Sequence, residues 1–188
     1  MRPVALSDDI AVGEMPSREQ IAILAKAGFR SLLNVQPDGE VARLINATDA
    51  ATEAAAAGLA YAHTPVESRR LSDEQAATFA DALARLPRPV YACCYSGARA
   101  AAAWATAMAP VMPLAEIAAT CASAGYDISA LSGDIERRHA GLPSVAESQP
   151  QSVPSDAPVP LTAPSAASAA EKIIFPRAAG AGGFAVAG

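Results

Sequence analysis

Residues 89–105, PVYACCYSGARAAAAWA, constrain the fold of this chain more than any other stretch. Pro89 to Cys93 is an apolar run of strand length, and Ala100 to Ala109 is an alanine-rich helix-forming run. Between them Cys94, Tyr95, Ser96, Gly97, Ala98 and Arg99 must form a strand-to-helix turn. Such a turn points several backbone N–H groups at one spot, at the positive end of the helix dipole. A cysteine at that spot is expected to be ionised, whereas a free thiol, with a pKa of about 8.5, is only a few per cent thiolate at neutral pH. The same amides together with Arg99 can hold a tetrahedral anion, so the implied chemistry is phosphoryl or sulfur transfer.

Two adjacent cysteines compete for the nucleophile's place. Arg99 lies six residues after Cys93, the separation used by cysteine phosphatases, and five after Cys94, the shorter loop of some rhodanese-type sulfurtransferases. Gly97 decides between them. Both of those families commonly place a glycine three residues after the nucleophile, where the backbone must approach the anion closely. Gly97 stands at that offset from Cys94, whereas Cys93 would have Ser96 there. Cys93 then fits strand alternation as a buried apolar thiol, and Cys94 is the expected nucleophile.

Repeated strand and helix signals surround this unit. Ile10 to Val12 reads as a short first strand. Ser17 and Gln20 have capping-box spacing, and Ile21, Ile23, Leu24 and Ala27 continue as an apolar helical face stopped by Gly28. Phe29 to Val35 reads as a strand. Pro37-Asp38-Gly39-Glu40 is a turn leading into an expected helix over 41–57, ended by Gly58. Leu59 to Val66 is the next strand, and Ser72 with Gln75 opens a second capped helix reaching Leu86. After the cysteine loop and its helix, Leu114 to Ser123 and Ile128 to His139 are further helices. Repeats of this length predict a three-layer αβα domain with a central, mostly parallel sheet. Ligands of such sheets bind at the carboxyl ends of the strands, where the cysteine loop belongs.

The alternation stops near Gly141. Residues 1–140 are therefore expected to form one domain and residues 141–188 a disordered tail. From Leu142 to Ala170 proline, serine and alanine dominate, too few large apolar groups to offset chain entropy. Residues 171–177 (EKIIFPR) form one apolar island, read as incidental, and the remainder is rich in glycine and alanine. No continuous apolar segment is long enough to span a bilayer, and MRPVALSDDI lacks a secretory signal pattern. Three cysteines, two of them adjacent, make no disulfide framework, so a reducing cytoplasm is the expected location. A net charge of -5 argues against nucleic acid as a partner. Two histidines and a cysteine pair lack metal-ligand spacing, so neither metal nor other cofactor is expected.

Several separate segments together resemble one family. They are Ala27-Gly28-Phe29, Gln36-Pro37-Asp38-Gly39-Glu40, His63-Thr64-Pro65-Val66, Cys94 to Arg99 with Trp104, and Ala124-Gly125-Tyr126-Asp127-Ile128-Ser129. In this order, over residues 3–135, they are similar to the phosphatase-like domain of the bacterial beta-lactamase hydrolase-like proteins. That family is related to dual-specificity phosphatases, and some of its members are labelled sulfur transferases. The resemblance implies a dual-specificity-phosphatase-like αβα fold and a cysteine that attacks a phosphorus or sulfur centre. Against the family pattern, Gln36 replaces an arginine, Ala100 replaces a serine, and Tyr95 stands where arginine is common. The cradle is less positive for it.

The implied reaction is hydrolysis of a small phosphate ester. Cys94 would be the nucleophile, Arg99 the bidentate clamp, and the amides of Tyr95, Ser96, Gly97, Ala98 and Arg99 the anion cradle. A general acid must protonate the leaving oxygen; Asp38 is preferred to Glu67, although a turn aspartate before Gly39 has a structural use as well. Asp73 is expected as a first-turn helix residue, His63 as a satisfied core histidine, His139 as exposed, Cys121 as a buried helix residue, and Trp104 as packed on the sheet. Ser96 is expected to bond the loop backbone. Two rivals stand beside the phosphatase. One is a rhodanese-type sulfurtransferase carrying a persulfide on Cys94, acting on a sulfur-bearing substrate and needing no acid. The other is a non-catalytic anion-binding module.

Overall fold

The computed structural model describes residues 2–42 and 44–142. The tail expected over 141–188, with its apolar island, lies outside these residues from position 143 onward. A five-stranded sheet carries the fold: β1 Val4–Ser7, β2 Ile10–Glu14, β3 Ser31–Asn34, β4 Ala60–His63 and β5 Val90–Cys94, in the order β1-β2-β5-β3-β4. All neighbouring pairs are parallel except β1 with β2. The helices are α1 Arg18–Lys26, α2 Ala47–Ala56, α3 Asp73–Arg85, α4 Ala98–Met108, α5 Leu114–Ser123 and α6 Ser132–His139, with a 3-10 turn at Ser129–Leu131. Among the described residues no helix is long and apolar enough to cross a membrane.

Alternation along β5 divides the interior into two layers, because successive strand side chains point to opposite faces. Val90, Ala92 and Cys94 join the larger core, packed with Phe79 and Leu83 of α3, Ala101 and Trp104 of α4, Ile117 of α5 and Ile135 of α6. Tyr91 and Cys93 face the other way, among Ile21 and Leu24 of α1 and Ala50 and Ala54 of α2. The described residues thus form the expected three-layer αβα sandwich, with two helices on one face and four on the other. The helices following β2 and β3 cover one face and the helix following β5 the other, so the carboxyl end of β5 is the switch point at which such sheets bind ligands.

Local sequence chemistry sets most boundaries. Ser17 caps α1 and Ser72 caps α3, each with the reciprocal glutamine contact of a capping box, as expected. Four expectations need correction. The N-terminal strand signal at Ile10 belongs to the second strand, and Val4–Ser7 precedes it as an antiparallel edge. Ile23 does not share the buried face of α1: it is 56% exposed, and only Ile21 and Leu24 of that helix are buried. The helix expected from Val41 starts at Ala47, because Asn46 caps it by accepting the N–H of Asp49 at 2.8 Å. The segment before it is instead drawn toward the cysteine loop. Finally, α4 starts at Ala98, two residues earlier than expected, which places Arg99 in its first turn.

Candidate functional site

Cys94 ends β5 and Gly97 is the cap of α4, so only Tyr95, Ser96 and Gly97 separate strand from helix. Gly97 has φ +84°, a conformation a side chain resists. Space forbids a side chain as well: a Cβ there would lie 2.3 Å from Tyr126 Oη and 3.0 Å from Gly13 Cα. This tight turn brings the Gly97 N–H to Cys94 Sγ, at 3.2 Å. The amides of Ala98, Arg99 and Ala100 precede the first bond of the helix, from Ala101 N–H to Gly97 O at 2.9 Å. They are the donors that a helix start leaves for an anion.

Cys94 is recessed, 1% exposed, at the floor of this turn. Neighbouring chain segments are fastened around it. Met15 N–H donates to Cys94 O at 2.7 Å, Val35 N–H to Cys93 O at 2.9 Å, and Val66 N–H to Val35 O at 3.0 Å. Cys93, on the opposite face, lies with Sγ 3.3 Å from Met15 Sδ, and burial pushes its thiol up. Cys121 is also fully buried and is pushed up to about 11 by the same cause. Neither is an accessible thiolate. Burial, followed by the proximity of Cys94 and Glu14, raises the Tyr126 hydroxyl too.

Arg99 is buried in the first turn of α4 and is held from three directions. Nη1 donates to Val66 O at 2.9 Å, and Nη2 donates to Gln36 Oε1 at 2.8 Å and to Glu40 Oε2 at 2.7 Å. Gln36 is the centre of the arrangement. Its Oε1 also accepts the Tyr95 N–H at 2.7 Å, and its Nε2 donates to Glu40. Its backbone is held by Asn34 Oδ1, which accepts its N–H at 2.8 Å, and by His63 Nε2, 2.8 Å from its carbonyl. His63 is therefore a satisfied, half-buried histidine, as expected. The Tyr95 N–H is committed to Gln36, which leaves fewer loop amides for an anion than the sequence implied.

The remaining candidates are placed as follows. Asp38 Oδ1 accepts the N–H of Ala47 at 2.7 Å, supporting the start of α2, and it is Glu40 that reaches Arg99. Glu67 is exposed beside Val66, and Ser96 is exposed in the loop. Asp73 begins α3 and pairs with Arg137 and Arg138. Trp104 is buried in the core, while His139 is exposed with Nδ1 2.8 Å from Ala109 O. Sequence reasoning missed Glu40 as an ion-pair partner and Gly13 as the backbone under the loop. Glu40 lies within the turn already noted, but nothing local links it to a residue 59 positions later.

A family model described as "Beta-lactamase hydrolase-like protein, phosphatase-like domain" matches residues 3–111, a span that includes Gln36, Glu40 and the whole Cys94–Arg99 loop. The chain belongs to this family. A curated relative, the beta-lactamase hydrolase-like protein of Agrobacterium fabrum, is 26% identical over 147 residues, covering 77% of this chain and 34% of the relative. The chain thus spans about a third of that protein's length. Among solved structures, a candidate phosphatase from Neisseria meningitidis matches with TM-score 0.64 and 20% identity, over 72% of this chain and 96% of the other. A kinase-associated phosphatase, carrying serine in place of its catalytic-site cysteine, matches with TM-score 0.60 and 12% identity, over 74% and 93%. At these identities the likeness to the two phosphatases is one of fold.

Proposed function

We propose that this domain is a cysteine-dependent phosphatase-like hydrolase acting on a small phosphate ester. The observation that carries the reading is the contact of the Gly97 N–H with Cys94 Sγ at the start of a helix whose first turn contains a buried arginine. In this reading the Cys94 thiolate attacks phosphorus and the ester P–O bond breaks, giving a phosphocysteine. Asp38 gives its proton to the leaving oxygen, then takes one from the water that cleaves the P–S bond and releases phosphate. Asp38 accepts from Ala47 through Oδ1, so Oδ2 is the atom that would carry the proton. Arg99 and the amides of Ser96, Ala98 and Arg99 stabilise the charge on the equatorial oxygens.

One observation favours a second reading. Asp38 is engaged in the turn and Glu40 partly neutralises Arg99, so the site is poor in both acid and net positive charge. A sulfurtransferase needs less of each. Cys94 would break the S–S bond of thiosulfate, release sulfite and keep the outer sulfur as a persulfide, which cyanide then removes as thiocyanate. Three measurements separate the readings. Aryl phosphate hydrolysis that disappears in Cys94→Ser supports the phosphatase. Thiocyanate formation, with a purified protein one sulfur heavier at Cys94, supports the transferase. Neither activity, with retained anion binding, makes the domain a binding module.

A further inference from the structure

We propose that Glu40 covers the anion-gripping nitrogen of Arg99 and penalises a doubly charged oxyanion at the cradle more than a singly charged one. The inference rests on reading the Cys94 loop and Arg99 as an anion cradle, and it adds how the cradle weighs the charge of what it binds.

A guanidinium grips two oxygens either end-on, through Nη1 and Nη2, or side-on, through Nε and Nη2. Both modes use Nη2. Here both hydrogens of Nη2 are engaged, one by Gln36 Oε1 at 2.8 Å and one by Glu40 Oε2 at 2.7 Å. Arg99 therefore cannot clamp an anion until one of these acceptors leaves. Gln36 is not free to do so. It is 3% exposed, its Oε1 also holds the Tyr95 N–H, and its backbone is fastened to Asn34 and His63. Glu40 sits on the turn after β3, its side chain is 44% exposed, and it accepts from Arg99 and Gln36. It is the acceptor that gives way, and water is there to receive it.

Displacement does not remove Glu40. Its turn keeps the carboxylate beside the cradle, where its negative charge opposes that of any oxyanion that Arg99 clamps. Coulomb energy scales with the product of the charges, so a dianion feels twice the repulsion that a monoanion feels from the same carboxylate. Any repulsive fold-loss for a monoanion is squared for a dianion. Uncovering Nη2, by contrast, costs both ligands the same. The departure from charge-independent binding is therefore the signature of Glu40.

The experiment uses inorganic sulfate and methanesulfonate, whose charges do not change near neutral pH, titrated into the full chain at constant ionic strength. The Gly97 amide resonance is the readout, and the same spectrum shows whether each variant is folded. Glu40→Ala, with Glu40→Gln as the second variant, is expected to bind both anions more tightly than the unaltered protein, the gain for sulfate exceeding that for methanesulfonate by about threefold. Binding detected only in the variants counts as that gain. Equal gains for the two anions, or none, overturn the inference and leave the cradle standing. If neither anion moves Gly97 in any of the three proteins, the cradle itself is refuted, and the proposed function falls with it.

Discussion

Replacing Gly97 with alanine tests the geometry on which the cysteine loop depends. Two costs and one gain can be read from the structure. Forcing an L-residue to φ +84° costs about 1–2 kcal/mol. The new methyl would lie 2.3 Å from Tyr126 Oη and 3.1 Å from its Cζ, an overlap whose relief costs about 1–3 kcal/mol. Alanine also restricts the unfolded chain, returning about 0.4–1 kcal/mol. The balance is a loss of about 3 kcal/mol. In a domain of this size that lowers Tm by about 6–12 °C. The two costs can be separated, since Tyr126→Phe removes the oxygen at 2.3 Å but leaves the backbone conformation untouched. In a urea-unfolding double-mutant cycle, Gly97→Ala should cost about 1 kcal/mol less in the Tyr126→Phe background than alone. Additivity within about 0.4 kcal/mol would place Tyr126 elsewhere, and a Gly97→Ala cost below about 1 kcal/mol would refute the turn itself.

Gln36→Ala strips a shared acceptor from the Tyr95 N–H and Arg99 Nη2; a stability loss of about 2 kcal/mol is expected, with any Cys94-dependent turnover falling at least about tenfold. Urea unfolding alongside the rate assay checks it, and unchanged turnover would remove Gln36 from the site. Asp73→Asn takes the carboxylate from two guanidiniums whose side chains are 13% and 8% exposed, at an expected cost of about 3 kcal/mol by calorimetry. The Cys121 thiol, held up at about 11 by burial, stays protonated in the folded state while an unfolded one ionises near 9.0. Its contribution is thus present below pH 9 and lost as pH rises toward 11. The unaltered protein should lose about 2–3 kcal/mol more than Cys121→Ala across that window, and parallel unfolding curves would refute it.

How far the sequence reveals this protein follows from the range of each interaction. Both capping boxes, the glycine stops and the bounds of Leu114–Ser123 depend on contacts three or four residues apart, and all were legible. The preference for Cys94 over Cys93 rested on strand alternation and on the offset of Gly97. The structure accordingly puts the two thiols on opposite faces of β5, with the Gly97 amide on Sγ of Cys94. Ile23 was misplaced because its helical spacing marks a face without saying how wide a stripe the sheet covers. The start of α2 was misplaced for a related reason: Val41 to Asn46 carries helix-compatible residues, yet Glu40 is bound to Arg99 and Asp38 to Ala47.

By itself, then, the order of residues determined a βα-repeating domain and a thiol in a glycine turn at a helix start, since periodicity, caps and φ preferences act within a few positions. Only the tertiary structure decided what surrounds that thiol. Gln36 and Glu40 meet Arg99 across 63 and 59 positions because parallel β3 and β5 end side by side. Gly13 and Tyr126 close over Gly97 from segments well before and well after it in the sequence. No local rule encodes which carboxylate will reach a buried guanidinium; that depends on how the layers pack.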